Sequence, residues 1–185
     1  VGSEMCIRDS PRAHAVAYVM MAFRIAWFKV YHPLAFYAAY FSIRAKAFDL
    51  RIMTGDLKTQ LTEFNRIKAL DRAASPKDKD LMSALEVSME MYQRGYRFIN
   101  VDIQHSEARR FSIKDGALLP PFLAIDSLGE TVADAIVEER NERPFTSLKD
   151  LQRRCKVSNT IIDLMKDLKC CGELPEDEQM SLFGA

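Results

Sequence analysis

The chain has 185 residues, enough for one sizeable domain or two small ones, each with a packed core. Its 26 Lys and Arg balance 26 Asp and Glu, so bulk charge alone selects no polyanionic partner. The 4 cysteines exclude a disulfide framework. Cys170 and Cys171 are adjacent, Cys155 stands apart and Cys6 lies near the start, with no C-x-x-C and no His pair, so no metal site is read and reduced thiols are expected.

In chain order, residues 1–10 (VGSEMCIRDS) begin without Met, join awkwardly to Pro11 and read as extraneous sequence. Residues 13–30 read as a helix, mostly buried. Their apolar length invites a transmembrane reading, but Arg24 sits inside the run and a second apolar segment comes directly after, so no membrane partner is expected. No signal peptide is read, because a basic flank and a cleavage site are missing. Arg12, Arg24, Lys29, Arg44 and Lys46 meet only Asp49 in the span they share. His32-Pro33 ends the first helix, since the residue before proline is pushed out of the α region. Residues 34–44 read as a second buried helix. Thr54-Gly55-Asp56 opens a third, with Leu57, Leu61 and Phe64 on one stripe. Ser75-Pro76-Lys77-Asp78 is a strong helix start, combining an N-cap Ser, a first-position Pro and a carboxylate three residues on. That helix carries Leu81, Leu85, Met89 and Tyr92 and stops near Gly95.

The texture then changes. Residues 97–103 can be extended, and Asp115-Gly116 between apolar runs is a two-residue hairpin signal. After Pro120-Pro121 the chain reads as helical to about Lys169. The tail from Gly172 onward is acidic, with Glu173, Glu176, Asp177 and Glu178 and no base, and reads as disordered.

The stretch 124–151, AIDSLGETVADAIVEERNERPFTSLKDL, holds the most chemistry. It reads as a helix, a tight turn at Ser127-Leu128-Gly129, a second helix and a capped third, the pattern of a helix-hairpin-helix. Such a turn presents N–H groups at a helix N-terminus, an anion site suited to phosphate. Ser127, Leu128, Gly129, Glu130 and Thr131 are therefore candidate DNA-backbone contacts. Gly129 is read as the residue that permits positive φ or close approach. Ala133, Ile136 and Val137 give the next helix its apolar face, Arg140 ends it near Pro144, and Ser147 with Asp150 forms a capping box. The usual pattern has glycine on both sides of the apolar turn residue, and Ser127 replaces the first. Residues 147–171 read as a weaker second copy, its turn Lys156-Val157-Ser158 without glycine, with Arg153, Arg154 and Lys156 adding charge. The plain alternative is an ordinary helix pair joined by a glycine turn.

Read together, these blocks resemble one family, the C-terminal part of the bacterial DNA polymerase III alpha subunit of the PolC type. PRAHAVAYVMMAFRIAWFKVYHPLAFYAAYF is similar to its fingers segment, with P-K-A-H-A-A-A-Y and Y/W-F-K-x-x-H-P motifs. RGYRFINVDI and ARRFSIKDGALLPPFLAIDSLGETVADAIV are similar to the family's segments downstream of the fingers. The resemblance implies a mainly α fold with a small β element: a helical fingers remnant over 11–95, a tandem helix-hairpin-helix duplex-binding domain over 96–171, and a flexible tail over 172–185. It implies a nucleotidyltransferase parent whose palm, absent here, holds magnesium. No catalytic residue and no cofactor are therefore expected in this chain, which by itself is expected to be inactive.

Arg12 and His14 stand where the family has its basic residue and His, with Arg at a place that usually holds Lys, and Tyr18 lies one turn beyond His14 on the same face. The resemblance thus implies Arg12, His14 and Tyr18 as contacts to the incoming deoxynucleoside triphosphate. Gln179, Met180, Ser181, Leu182 and Phe183 resemble the family's clamp-binding motif, in which Leu is usual at the second place. Implied partners are double-stranded DNA, the sliding clamp and other replisome subunits, in a cytoplasmic, nucleoid-associated setting. A stand-alone helix-hairpin-helix DNA adaptor without enzyme activity is the alternative, and a helical membrane-associated protein is a third.

Overall fold

The computed structural model describes residues 2–177. The fold is mainly helical with one small two-stranded sheet. Helix α1 (Gly2–Tyr31) stops at His32, whose φ of −133° and ψ of 58° break the helical path, and Pro33 starts α2 (Pro33–Ile43) at the position where a missing N–H costs nothing. A short α3 (Leu50–Met53) and α4 (Leu57–Leu70) come next, capped by the Asp49 and Asp56 carboxylates, which accept from Ile52 and Thr59 N–H. Helix α5 (Pro76–Gln93) begins with the full capping box read from sequence: Asp78 N–H donates to Ser75 Oγ, and Ser75 N–H donates to the Asp78 carboxylate. It ends at Gly95 with φ +85°.

The hairpin forms as expected. Strands β1 (Ser112–Lys114) and β2 (Ala117–Leu119) pair antiparallel with Lys114 opposite Ala117, so Asp115-Gly116 is the whole loop. Both its residues have positive φ, 51° and 74°, the twist a two-residue hairpin requires. Residues near Phe98 run extended beside β2, Ile99 N–H donating to Leu118 O. Helices α6 (Glu130–Glu142), α7 (Leu148–Cys155) and α8 (Asn159–Asp167) complete the chain.

Two apolar cores divide these elements. Tyr37, Phe41, Met53, Ile67, Leu85, Met91, Phe98 and Leu118 fill the first. The second gathers Val101, Phe122, Ile125, Ile136, Leu151 and Met165, together with Leu50 from α3, while Phe48 packs against both. The two cores therefore interlock.

Three expectations change. Helix α1 was expected to be mostly buried, yet Val16, Tyr18, Met20, Phe23, Ile25 and Trp27 are all exposed. Its apolar residues run round the helix, and among the described residues the ties that hold it lie at its end: Lys29 pairs with Glu90 at 2.7 Å, and Arg94 donates to Lys29 O and to Tyr37 Oη. The span Arg12–Tyr31 is long and apolar enough to cross a membrane. In α4, Leu57 and Leu61 are exposed while Gln60 and Ile67 are buried. Gln60 wins the core position because its amide donates to Met53 O at 3.1 Å and accepts from Ser88 Oγ at 2.7 Å, which satisfies the buried polar group. The acidic tail is ordered further than expected. Leu148 N–H donates to Pro175 O, Lys149 N–H to Glu176 O, and Lys149 and Lys166 pair with Asp177 and Glu176.

Candidate nucleic-acid interface

The first turn comes after a single 3-10 turn, Phe122–Ala124, where sequence reading expected a helix. The 3-10 segment stops after one turn because its C-cap, Ile125, is extended at φ −81° and ψ 123°. Ser127 then takes the left-handed conformation at φ 64°, Leu128 is buried, and Gly129 is the N-cap of α6 at φ −75° and ψ 157°. Positive φ thus falls on Ser127, not on Gly129. What Gly129 contributes is the absence of a side chain: nothing lies within 4 Å of where its Cβ would stand, and α6 has no side-chain cap. The first-turn N–H groups of Glu130 and Thr131, both exposed residues, are left to solvent or to a ligand.

The second turn repeats this backbone. Lys156 is left-handed at φ 53° and ψ 37°, Val157 is buried, and Ser158 caps α8 at φ −71° and ψ 155°. Thr160 and Asp163 stand where α6 has Thr131 and Asp134, and the buried Ile162 and Met165 match Ala133 and Ile136. This copy, the weaker by sequence, is the one with a full helix on each side. Its signal was legible as a buried apolar residue between two polar ones before a helix. The left-handed lysine was not.

The basic residues divide by role. Arg154 is only 11% exposed. Its guanidinium donates to Glu139 at 2.8 Å, Asp150 at 3.3 Å and Arg143 O at 3.0 Å, and stacks 4.7 Å from the Phe145 ring, joining α6 to α7. Arg153 is far more exposed and contacts Asp150 at 3.0 Å, while the Lys156 side chain is exposed beside its turn. The Asp150 side chain is 0% exposed. Burial opposes its charge, but the Thr146 N–H, Arg153 and Arg154 outweigh burial and hold the carboxyl below its ordinary value. Ser147 Oγ accepts from Asp150 N–H, as a capping box requires, but the carboxylate turns to Thr146 and the arginines. At the first turn, Arg109 bridges Glu130 and Asp134 and holds the Asp134 carboxyl below its usual range.

On α1, Arg12, His14 and Tyr18 are exposed, with the His14 and Tyr18 rings 4.5 Å apart and edge-on. Gln179, Met180, Ser181, Leu182 and Phe183 lie outside the described residues. Among the described residues no cluster of three or more His, Cys, Asp or Glu is placed to hold a metal. Cys155, Cys170 and Cys171 are buried free thiols whose pKa values burial pushes up, to about 12 for Cys170 and about 11 for the others.

Residues 95–179 match the family model for the helix-hairpin-helix motif. Along 94% of its length the chain is similar to proteins named DNA polymerase III PolC-type: 47% identical over 173 residues in Caldanaerobacter subterraneus subsp. tengcongensis, 46% over 175 in Streptococcus suis and 45% over 176 in Streptococcus pyogenes. The chain spans about 12% of the length of these curated relatives. The chain is thus similar to one segment of proteins named DNA polymerase III PolC-type, and consists of a helical unit followed by a helix-hairpin-helix region.

Proposed function

We propose that the chain supplies sequence-independent grip on duplex DNA to a replicative, DNA-directed DNA polymerase of the PolC type. The observation that carries this is the repeated turn. Ser127-Leu128-Gly129 and Lys156-Val157-Ser158 each place a left-handed residue and a buried apolar anchor ahead of an exposed helix start. Two such starts can each take a backbone phosphate through N–H groups and the helix dipole, with Lys156 and Arg153 beside the second. Contacts of this kind read no base edges and weaken steeply with salt. A labelled random duplex should bind the chain, losing affinity by roughly threefold per phosphate contact between about 50 and 200 mM salt. Gly129→Val, whose side chain meets open space in the fold but blocks the turn, should weaken binding by roughly tenfold with an unchanged melting temperature. Binding that ignores salt, or that prefers one sequence strongly, would refute the reading.

In the same reading, Arg12, His14 and Tyr18 meet the triphosphate of the incoming deoxynucleotide within the whole polymerase, whose magnesium-dependent chemistry resides elsewhere in the parent. Gln179, Met180, Ser181, Leu182 and Phe183 engage the sliding clamp through two apolar anchors, and other replisome subunits complete the assembly in the bacterial cytoplasm. Phe183→Ala should abolish capture by immobilised clamp while duplex binding persists. Equal capture of both proteins removes the tail from the function.

A further inference from the structure

The two turns differ in charge at two places, Lys156 standing where the first has Ser127 and Asn159 where it has Glu130. At the first position of α8 stands Asn159, a neutral amide bonded to Gln152, whereas α6 begins with Glu130. A carboxylate at a helix start is favourable to the helix but competes for the same positive end that would take a phosphate. Glu130 does not stand alone. The Arg109 guanidinium bonds the Glu130 carboxylate with one nitrogen and the Asp134 carboxylate with two others. Arg109 is held in place from below, because Phe122 N–H donates to Glu107 O and Leu123 N–H to Ala108 O, fixing its loop to the 3-10 turn that leads into the hairpin. Its side chain is half exposed and also lines an open cavity of about 600 Å³, together with Lys46 and Lys77, neither of which has an ion-pair partner among the described residues. The guanidinium therefore has room to turn without moving backbone.

Resting on the duplex-binding reading above, we infer that Arg109 is a positioning residue that makes the first turn competent for phosphate. It holds the Glu130 and Asp134 carboxylates together, offsets one of their two charges at the helix start, and is shared with the phosphate when DNA arrives. Glu130 is the turn's built-in competitor. The second turn, with Asn159, needs no such residue. The two turns are thus unequal in grip: the second is open at all times and the first is set by the Arg109–Glu130 pair.

A double-mutant cycle on the full chain tests this, with duplex affinity measured by anisotropy across a salt series. Glu130→Gln should tighten binding by about threefold or more, because the competing charge is gone. Arg109→Ala should weaken binding by about tenfold, since Glu130 is left to repel the phosphate, and Arg109→Ala/Glu130→Gln should recover affinity to near that of the unmodified chain. If Arg109 only braces the loop, its loss shows in the melting temperature and Glu130→Gln does not rescue affinity. That outcome overturns the inference, as does unchanged affinity in Glu130→Gln alone, which remains decisive should Arg109→Ala fail to fold. An unmodified chain that binds no duplex removes the underlying reading instead, and the two failures are distinguishable.

Discussion

Asp150 shows how one side chain can set a local architecture. It is fully buried, accepts from Thr146 N–H, and faces Arg143, Arg153 and Arg154 at 3.3, 3.0 and 3.3 Å. A buried carboxylate is tolerated only when its partners replace the lost water. Removing it leaves Arg154 with Glu139, the Arg143 carbonyl and the Phe145 ring, and takes one acceptor from the α7 start. Asp150→Ala is expected to lower stability by about 2–3 kcal/mol in urea unfolding, the scale of lost charge-assisted hydrogen bonds at a buried site. The direction of its pKa shift sets the pH sense. A carboxyl whose folded pKa is depressed stabilises the fold above its ordinary value of 3.8 and loses that contribution as pH falls through the lower folded value. Acid unfolding below about pH 4 should therefore be blunted in Asp150→Ala relative to its own neutral-pH stability.

At the scale of the element, the hairpin turns separate what the fold needs from what a ligand needs. The left-handed residue and the buried apolar residue are demanded by the chain path, while the open N-cap of α6 is demanded by neither packing nor φ. Ser127 bears the cost of a left-handed side-chain residue, about 1 kcal/mol, partly offset by the entropy a glycine would lose on folding. Ser127→Gly, which restores the glycine usual on the first side of such a turn, should raise stability by roughly 0.5 kcal/mol and leave duplex affinity within about twofold. A drop in stability would mean that the serine hydroxyl has a role that the hydrogen bonds around the turn do not reveal.

At the scale of the whole molecule, the two interlocked cores leave α1 outside both. A helix apolar on every side is stable in water only when something surrounds it. The chain matches about an eighth of its relatives' length, and the proposed polymerase setting provides such a surround. Deleting residues 1–27 should abolish binding of a hydrophobic dye and reduce self-association, with a thermal midpoint within about 2 °C of the intact chain, because neither core loses a member. A large fall in the midpoint would show that α1 supports the cores through more than its last turn.

Much of this protein is legible in its sequence. Local signals whose physics lies within a few residues came through: the capping box at Ser75, the break at His32-Pro33, the Asp115-Gly116 hairpin and the apolar turn before α6. The resemblance of the surrounding blocks added the family. Tertiary structure decided what depends on neighbours distant in sequence. Gln60 displaced Leu57 and Leu61 from the core because Met53 O and Ser88 stood ready to bond it. Arg154 became a brace between helices because Glu139 and Asp150 converge on it. Lys156 takes the left-handed conformation ahead of the buried Val157, so the glycine-free turn repeats the backbone of the first. Sequence alone determined where the backbone turns and caps, since those choices are made by adjacent residues. Which polar groups are spent on the fold and which stay exposed was decided only when distant charges came together.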